Sequence, residues 1–159
     1  LDLQEDKPLE NVGLMLNGKN CLKVEKLENG KLNSFISGQS GCTGDDSEQW
    51  IQDFKGKIHS KMALDQCLTQ QDGWVVLNSC DLDWATQVWN TNSSASEIKQ
   101  NGKCFDLRSG NLTNNRGSLI TYTCSGGGNQ KWTTLTKNSS FILATGGKNL
   151  PLIMDSLQK

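Results

Sequence analysis

The chain is expected to be all-β: about twelve short strands in three copies of one unit, sharing a core around a pseudo-threefold axis. Three observations predict this. One pattern recurs three times: a cysteine with a hydrophobic residue after it, a second cysteine, then a tryptophan eight or nine residues further on. Apolar residues rarely recur at three- and four-residue steps, so helix signals are poor. Gly, Asn and Ser punctuate the chain throughout, which suits short strands joined by turns.

The first unit runs Cys21-Leu22-Lys23-Val24, Cys42 and Glu48-Gln49-Trp50. The second is Cys67-Leu68-Thr69, Cys80 and Gln87-Val88-Trp89; the third is Cys104-Phe105-Asp106-Leu107, Cys124 and Gln130-Lys131-Trp132. Successive tryptophans stand 39 and 43 residues apart. Within the first unit, strands over 12–16 and 20–24 flank Asn17-Gly18, a favoured two-residue hairpin turn because both residues tolerate positive φ. Asn101-Gly102 holds the matching place before Cys104. Residues 75–77 and 118–123 read as the strands before the second cysteines, and further strands follow each tryptophan near Ile58, near Ile98 and over 141–143. Four strands cannot bury their apolar face alone, so the units must share a core, an arrangement that also limits exposed edges. Trp50, Trp89 and Trp132 are then its equivalent anchors. A propeller of three blades would be too small to close.

At 159 residues the length suits one domain with a modest core. The expected divisions are a leader over 1–11, the domain over 12–145 (units of about 12–57, 58–97 and 98–145) and a tail over 146–159. A formal charge of −1 gives no electrostatic footprint for nucleic acid or an anionic membrane surface. No run approaches a membrane span, so the domain is not expected to insert into a bilayer. Six cysteines suggest an oxidising compartment, and hence a secreted product or a domain of a larger secreted protein. They allow 15 pairings, from which the repeat selects Cys21–Cys42, Cys67–Cys80 and Cys104–Cys124. Loops of this length typically stabilise by about 2–4 kcal/mol when closed. A structural zinc lacks support, because there is no CxxC pair and His59 is the only histidine.

The pattern Cys-hydrophobic-Asp, Cys, Gln-x-Trp is complete in the third unit and partly kept in the other two. It resembles the ricin B-chain type of β-trefoil lectin over most of the chain. That resemblance implies a β-trefoil carrying up to three shallow sugar pockets, one per unit. A galactose-type sugar presents two adjacent hydroxyls and one apolar face. Holding it needs a carboxylate to accept from both hydroxyls, an aromatic plate and an amide.

The third unit supplies the set that the resemblance implies. Asp106 matches the hydroxyl-binding carboxylate, Gly110 the turn glycine, and Tyr122 the stacking aromatic. Asn129 matches the amide on a sugar hydroxyl, and Gln130 the residue that orients Asp106. Ile120 departs from the polar residue some members place beneath the sugar. In the first unit Lys23 replaces the carboxylate, Ser40 the aromatic and Glu48 the glutamine; lysine cannot accept a hydroxyl proton, so this pocket reads as lost. In the second, Thr69 and Asn78 replace the carboxylate and the aromatic, leaving a silent pocket. Trp74 and Trp84 are extra aromatics there, read as packing under a loop or contacting a neighbouring domain, with an unusual sugar platform as the alternative.

Other motifs carry little. Paired carboxylates at Asp45-Asp46 and Asp81-Leu82-Asp83 are no more specific than solvated turns. The run Gly126-Gly127-Gly128 lacks a phosphate-cradle pattern and reads as a flexible turn. Asn92, Asn111 and Asn138 open glycosylation sequons. No catalytic residue, cofactor or metal is expected. The implied function is a lectin for terminal galactose or N-acetylgalactosamine on host cell-surface glycoproteins or glycolipids. It resembles the targeting domain of secreted Vibrio-type pore-forming haemolysins, whose oligomeric parents supply several copies. The alternatives are a polysaccharide-binding module of a secreted glycoside hydrolase, or a trefoil that binds or inhibits proteins.

Overall fold

The computed structural model describes residues 12–39, 42–82, 84–137 and 140–142, and within them the chain is all-β. The first unit holds β1 (Val12–Asn17), β2 (Asn20–Lys26), β3 (Leu32–Ser37) and β4 (Gln49–Gln52). Then come β5 (Ile58–Ser60), β6 (Ala63–Gln71), β7 (Trp74–Ser79) and the two-residue β8 (Lys99–Gln100). The third unit continues with β9 (Lys103–Leu107), β10 (Arg116–Gly117), β11 (Leu119–Thr123), β12 (Thr133–Lys137) and β13 (Ser140–Ile142). These thirteen strands among the described residues stand against the twelve expected. No helix there is long and apolar enough to cross a membrane. The expected leader and tail lie outside the described residues, as does Leu143 of the last expected strand.

The tryptophans anchor the fold by one repeated contact. The indole N–H of Trp50 donates to the Leu22 carbonyl at 3.1 Å, that of Trp89 to Leu68 at 3.0 Å, and that of Trp132 to Phe105 at 3.3 Å. Each acceptor is the hydrophobic residue directly after a unit's first cysteine, and all three of those side chains are fully buried. Burying an indole requires a partner for its N–H, and the strand carbonyl supplies one. Phe105 sits edge-on between Trp89 at 4.6 Å and Trp132 at 5.9 Å, so the second and third units meet in one aromatic core. All three expected disulfides are present, spanning 21, 13 and 20 residues.

The units touch one another pairwise at their hairpins. Ile120 of β11 pairs with Trp74 of β7, and Gly117 of β10 pairs with Ile36 of β3. Ser34 Oγ of β3 donates to the Val75 carbonyl of β7 at 3.3 Å, completing the triangle. At the other end β1 pairs with β12 as well as with β2 and β4, so the first unit closes against the third.

One local expectation shifts. In the first hairpin Asn17 pairs with Asn20, so the turn's central residues are Gly18 and Lys19, one residue later than Asn17-Gly18. Glycine takes the positive φ of +64°, and the Asn17 side chain instead donates to the carbonyls of Gly128 and Lys131. Asn101-Gly102 forms its turn as expected, with φ of +52° and +74°. Trp89 lies outside any strand; its neighbours Val88 and Asn90 form single bridges to Lys57 and Lys99.

A buried aspartate–histidine pair locks the turn between β4 and β5. Asp53 Oδ1 accepts from the backbone N–H of Lys55 and Lys57, and His59 Nε2 donates to Asp53 Oδ2 at 2.7 Å. The other ring nitrogen faces the Leu64 carbonyl at 2.6 Å. Burial pushes the Asp53 carboxyl up, but the bonds from His59, Lys57 and Lys55 outweigh it and hold it below the ordinary aspartate value. A lowered carboxyl contributes stability above its unfolded pKa and loses it as pH falls through the folded one. Asp53→Ala is expected to cost about 1–3 kcal/mol near neutral pH by leaving the buried His59 ring N–H without its acceptor. Thermal denaturation followed by circular dichroism should show that gap to wild type narrowing on acidification.

Candidate functional site

In the third unit, register alone assembles the front of the site. Asp106 of β9 stands opposite Ile120 of β11, and Cys104 opposite Tyr122. Side chains alternate along a strand, so Asp106, Ile120 and Tyr122 share one face while Phe105 and Leu107 enter the core. Tyr122 is 61% exposed, a ring available for stacking. Beyond β9 the backbone turns through Ser109 (φ +63°) and Gly110 (φ +70°). A Cβ on Gly110 would meet Asn129 only at ordinary contact distance, so glycine is needed there for the left-handed backbone and not for space.

A 3-10 turn over Gly128–Gln130 delivers the other half. Gln130 is buried; its Nε2 donates to Asp106 Oδ2 at 2.7 Å and to the Thr123 carbonyl at 3.0 Å. Its Oε1 accepts from the Ser125 N–H at 2.8 Å, which fixes which way the amide points. Asn129 Nδ2 donates to Asp106 Oδ1 at 3.1 Å and to the Leu107 carbonyl at 3.2 Å. Asp106 thus receives one amide on each oxygen, which leaves about half of its four lone-pair sites for a ligand's hydroxyls. Burial drives its carboxyl above the ordinary aspartate value, and the bonds from Gln130 and Asn129 only partly offset this.

The other four expected residues therefore gather around Asp106, whether directly (Asn129, Gln130) or by sharing its face or its turn (Tyr122, Gly110). The glycine run read as a flexible turn has a definite task. A Cβ on Gly127 would stand 2.9 Å from Asn129 Oδ1, so a side chain there would displace the amide. Ser125, which holds Gln130, was equally unmarked; its place one residue after Cys124 is the only signal the sequence offers.

The first unit builds the same bracket with opposite polarity. Glu48 takes the place of Gln130, and its Oε1 accepts from the N–H groups of Thr43 and Gly44, both at 2.7 Å. Its other oxygen lies 3.8 Å from Lys23 Nζ, where the third unit has Asp106. Burial raises the Glu48 carboxyl, against those two backbone bonds and the Lys23 charge. A lysine-glutamate pair supports the fold but offers no acceptor where a sugar hydroxyl would donate. Ser40 lies outside the described residues. In the second unit Gln87 Nε2 donates to Thr69 Oγ1 at 3.0 Å and to the Ser79 carbonyl at 2.7 Å, while its buried Oε1 finds no partner among the described residues. The bracket survives there without a carboxylate to present.

Neither extra tryptophan packs under a loop. Trp84 is 58% exposed and Trp74 is 42% exposed. Trp74 follows the Asp72-Gly73 turn (φ +53° and +87°), pairs with Ile120 of the third unit, and carries the Arg108 guanidinium 5.1 Å from its ring centre. The three groups of metal-ligating residue types among the described residues are each built on a disulfide, whose sulfurs are not thiolates.

Comparison with known proteins agrees with the fold. The family model for ricin-type beta-trefoil lectin domains matches residues 12–139. The agglutinin of Abrus precatorius superposes with a TM-score of 0.64 at 20% identity over 78% of this chain, which spans 46% of that one. The C-half of an earthworm R-type lectin, solved with GalNAc, gives 0.63 at 16% identity, covering 84% of this chain and 98% of that one. The β-trefoil lectin of the Vibrio vulnificus hemolysin/cytolysin, solved with N-acetyl-D-lactosamine bound, gives 0.53 at 22% identity, covering 76% and 90%. No curated protein sequence matches the chain. The match to the family model, over most of its length, shows that the chain belongs to the ricin-type β-trefoil lectin domains.

Proposed function

We propose that this lectin domain binds terminal galactose or N-acetylgalactosamine through one competent site, formed by Asp106, Gly110, Tyr122, Asn129 and Gln130. The observation that carries the reading is the Asp106 carboxylate. It is only 5% exposed, held on both oxygens by amides, and set on the same face as an exposed tyrosine ring. Two adjacent hydroxyls donate to that carboxylate, the apolar face of the sugar stacks on Tyr122, and Asn129 completes the hydroxyl network. The domain does no chemistry on the sugar.

A single shallow site of this kind binds weakly, on the order of millimolar or about 4 kcal/mol. Attachment to a cell surface then needs several copies, and an oligomeric parent raises avidity by about 10²–10⁴ without any new contact. The proposed role is to target a larger secreted protein, such as a pore-forming toxin, to host glycoconjugates. Support comes from the ligands bound to the earthworm and Vibrio proteins and from the latter's being part of a hemolysin/cytolysin. Three disulfides support an extracellular location.

Calorimetric titration with N-acetylgalactosamine and with methyl galactoside tests the site. Wild type is expected to bind one equivalent, and Asp106→Ala to lose binding while keeping its circular dichroism spectrum. Retained binding in that variant would place the sugar elsewhere. The carboxyl must be ionised to accept both hydroxyl protons. Because its pKa is raised, affinity should fall on acidification with a midpoint above the 3.8 of an ordinary aspartate, which titrations at a series of pH values read directly.

A further inference from the structure

We propose that Trp74 and Arg108 form a second subsite, continuous with the Asp106 site, that holds the next sugar ring of the glycan. This inference rests on the reading of Asp106 given above and adds the length of chain recognised. Two independent observations carry it.

The first is register. Asp106 of β9 pairs with Ile120 of β11, and Ile120 pairs in turn with Trp74 of β7. Directly opposed residues of antiparallel strands present their side chains to the same face. Asp106, Ile120 and Trp74 therefore form one row across three strands, with Tyr122 flanking it. The Thr121 N–H donates to the Gly73 carbonyl at 2.8 Å, which makes Ile120 and Trp74 a non-hydrogen-bonded pair, the closer of the two kinds. Strand spacing sets Trp74 about 10 Å from Asp106, the reach of one further ring beyond a sugar seated on the carboxylate.

The second is the Arg108 guanidinium, 5.1 Å from the Trp74 ring centre. Arg108 lies two residues after Asp106, in the turn that carries Gly110. It crosses from the loop of the third unit to the tryptophan of the second, fixing the two together, and it is itself exposed. A tryptophan at the tip of a turn, 42% exposed and braced on one side, offers a plate for the apolar face of a second hexose. The guanidinium donates only, so it takes the hydroxyl oxygens of that ring as acceptors. No single unit contains this subsite: the plate comes from the second and the guanidinium from the third.

The test compares methyl galactoside with lactose by calorimetry, in wild type, Trp74→Ala, Trp74→Phe and Arg108→Ala. Wild type should bind lactose roughly three- to tenfold more tightly than methyl galactoside, the scale of one stacking contact. Trp74→Ala and Arg108→Ala should each bring lactose toward the methyl galactoside value and leave methyl galactoside unchanged. Trp74→Phe, which keeps an aromatic plate, should keep part of the gain. Methyl galactoside binding with no advantage for lactose would overturn the subsite alone, as would Trp74→Ala weakening both sugars equally. Binding of neither sugar to wild type would overturn the Asp106 reading and this inference with it.

Discussion

Everything in this domain hangs on the bond from each tryptophan's indole to the carbonyl that follows a unit's first cysteine. Trp50, Trp89 and Trp132 each make it, and each thereby pins the end of its unit against its beginning. The side chain two residues earlier in each unit then points back at the residue two places after that cysteine. In the third unit this is Gln130 on Asp106, in the second Gln87 on Thr69, in the first Glu48 beside Lys23. One tripeptide therefore sets the core and the site together. A unit can lose its ligand chemistry while the tripeptide is retained for packing.

On the proposed function, that separation explains how three units equivalent in fold come to differ in use. Fold needs the tryptophan, the apolar residue after the cysteine and the disulfide, and all three units have them. Sugar binding needs an ionised carboxylate, which burial disfavours; the raised Asp106 carboxyl records that tension. Its contribution to stability is present below the ordinary aspartate pKa and lost as pH rises through the folded one, so the ionised form required for binding is the less stabilising form. Thr69 in the second unit and the Lys23–Glu48 pair in the first avoid that cost and give up the acceptor.

How far the sequence alone reaches can be judged residue by residue. The disulfides and the tryptophan anchors follow from spacing, since a threefold pattern leaves few ways to pair six cysteines. That Asp106, Tyr122, Asn129 and Gln130 lie together was legible because each stands at a fixed offset from a cysteine or a tryptophan. The first turn slipped by one residue because Asn17 is drawn away to the carbonyls at 128 and 131, far off in sequence. Gly127 looked like flexible filler because its purpose, leaving room for the Asn129 amide, exists only once the turn is closed. Trp74 was read as packing under a loop or contacting a neighbouring domain because nothing in a linear repeat reveals that it pairs with the next unit's strand.

The central claim is that the third unit alone binds sugar. Backbone amide shifts of the isotopically labelled domain, followed during titration with N-acetylgalactosamine, test it most directly. The account predicts saturable shifts clustered at Asp106, Gly110, Tyr122 and Asn129, with the signals around Lys23 and Thr69 unmoved. Comparable saturable shifts around Lys23 or Thr69 would contradict it.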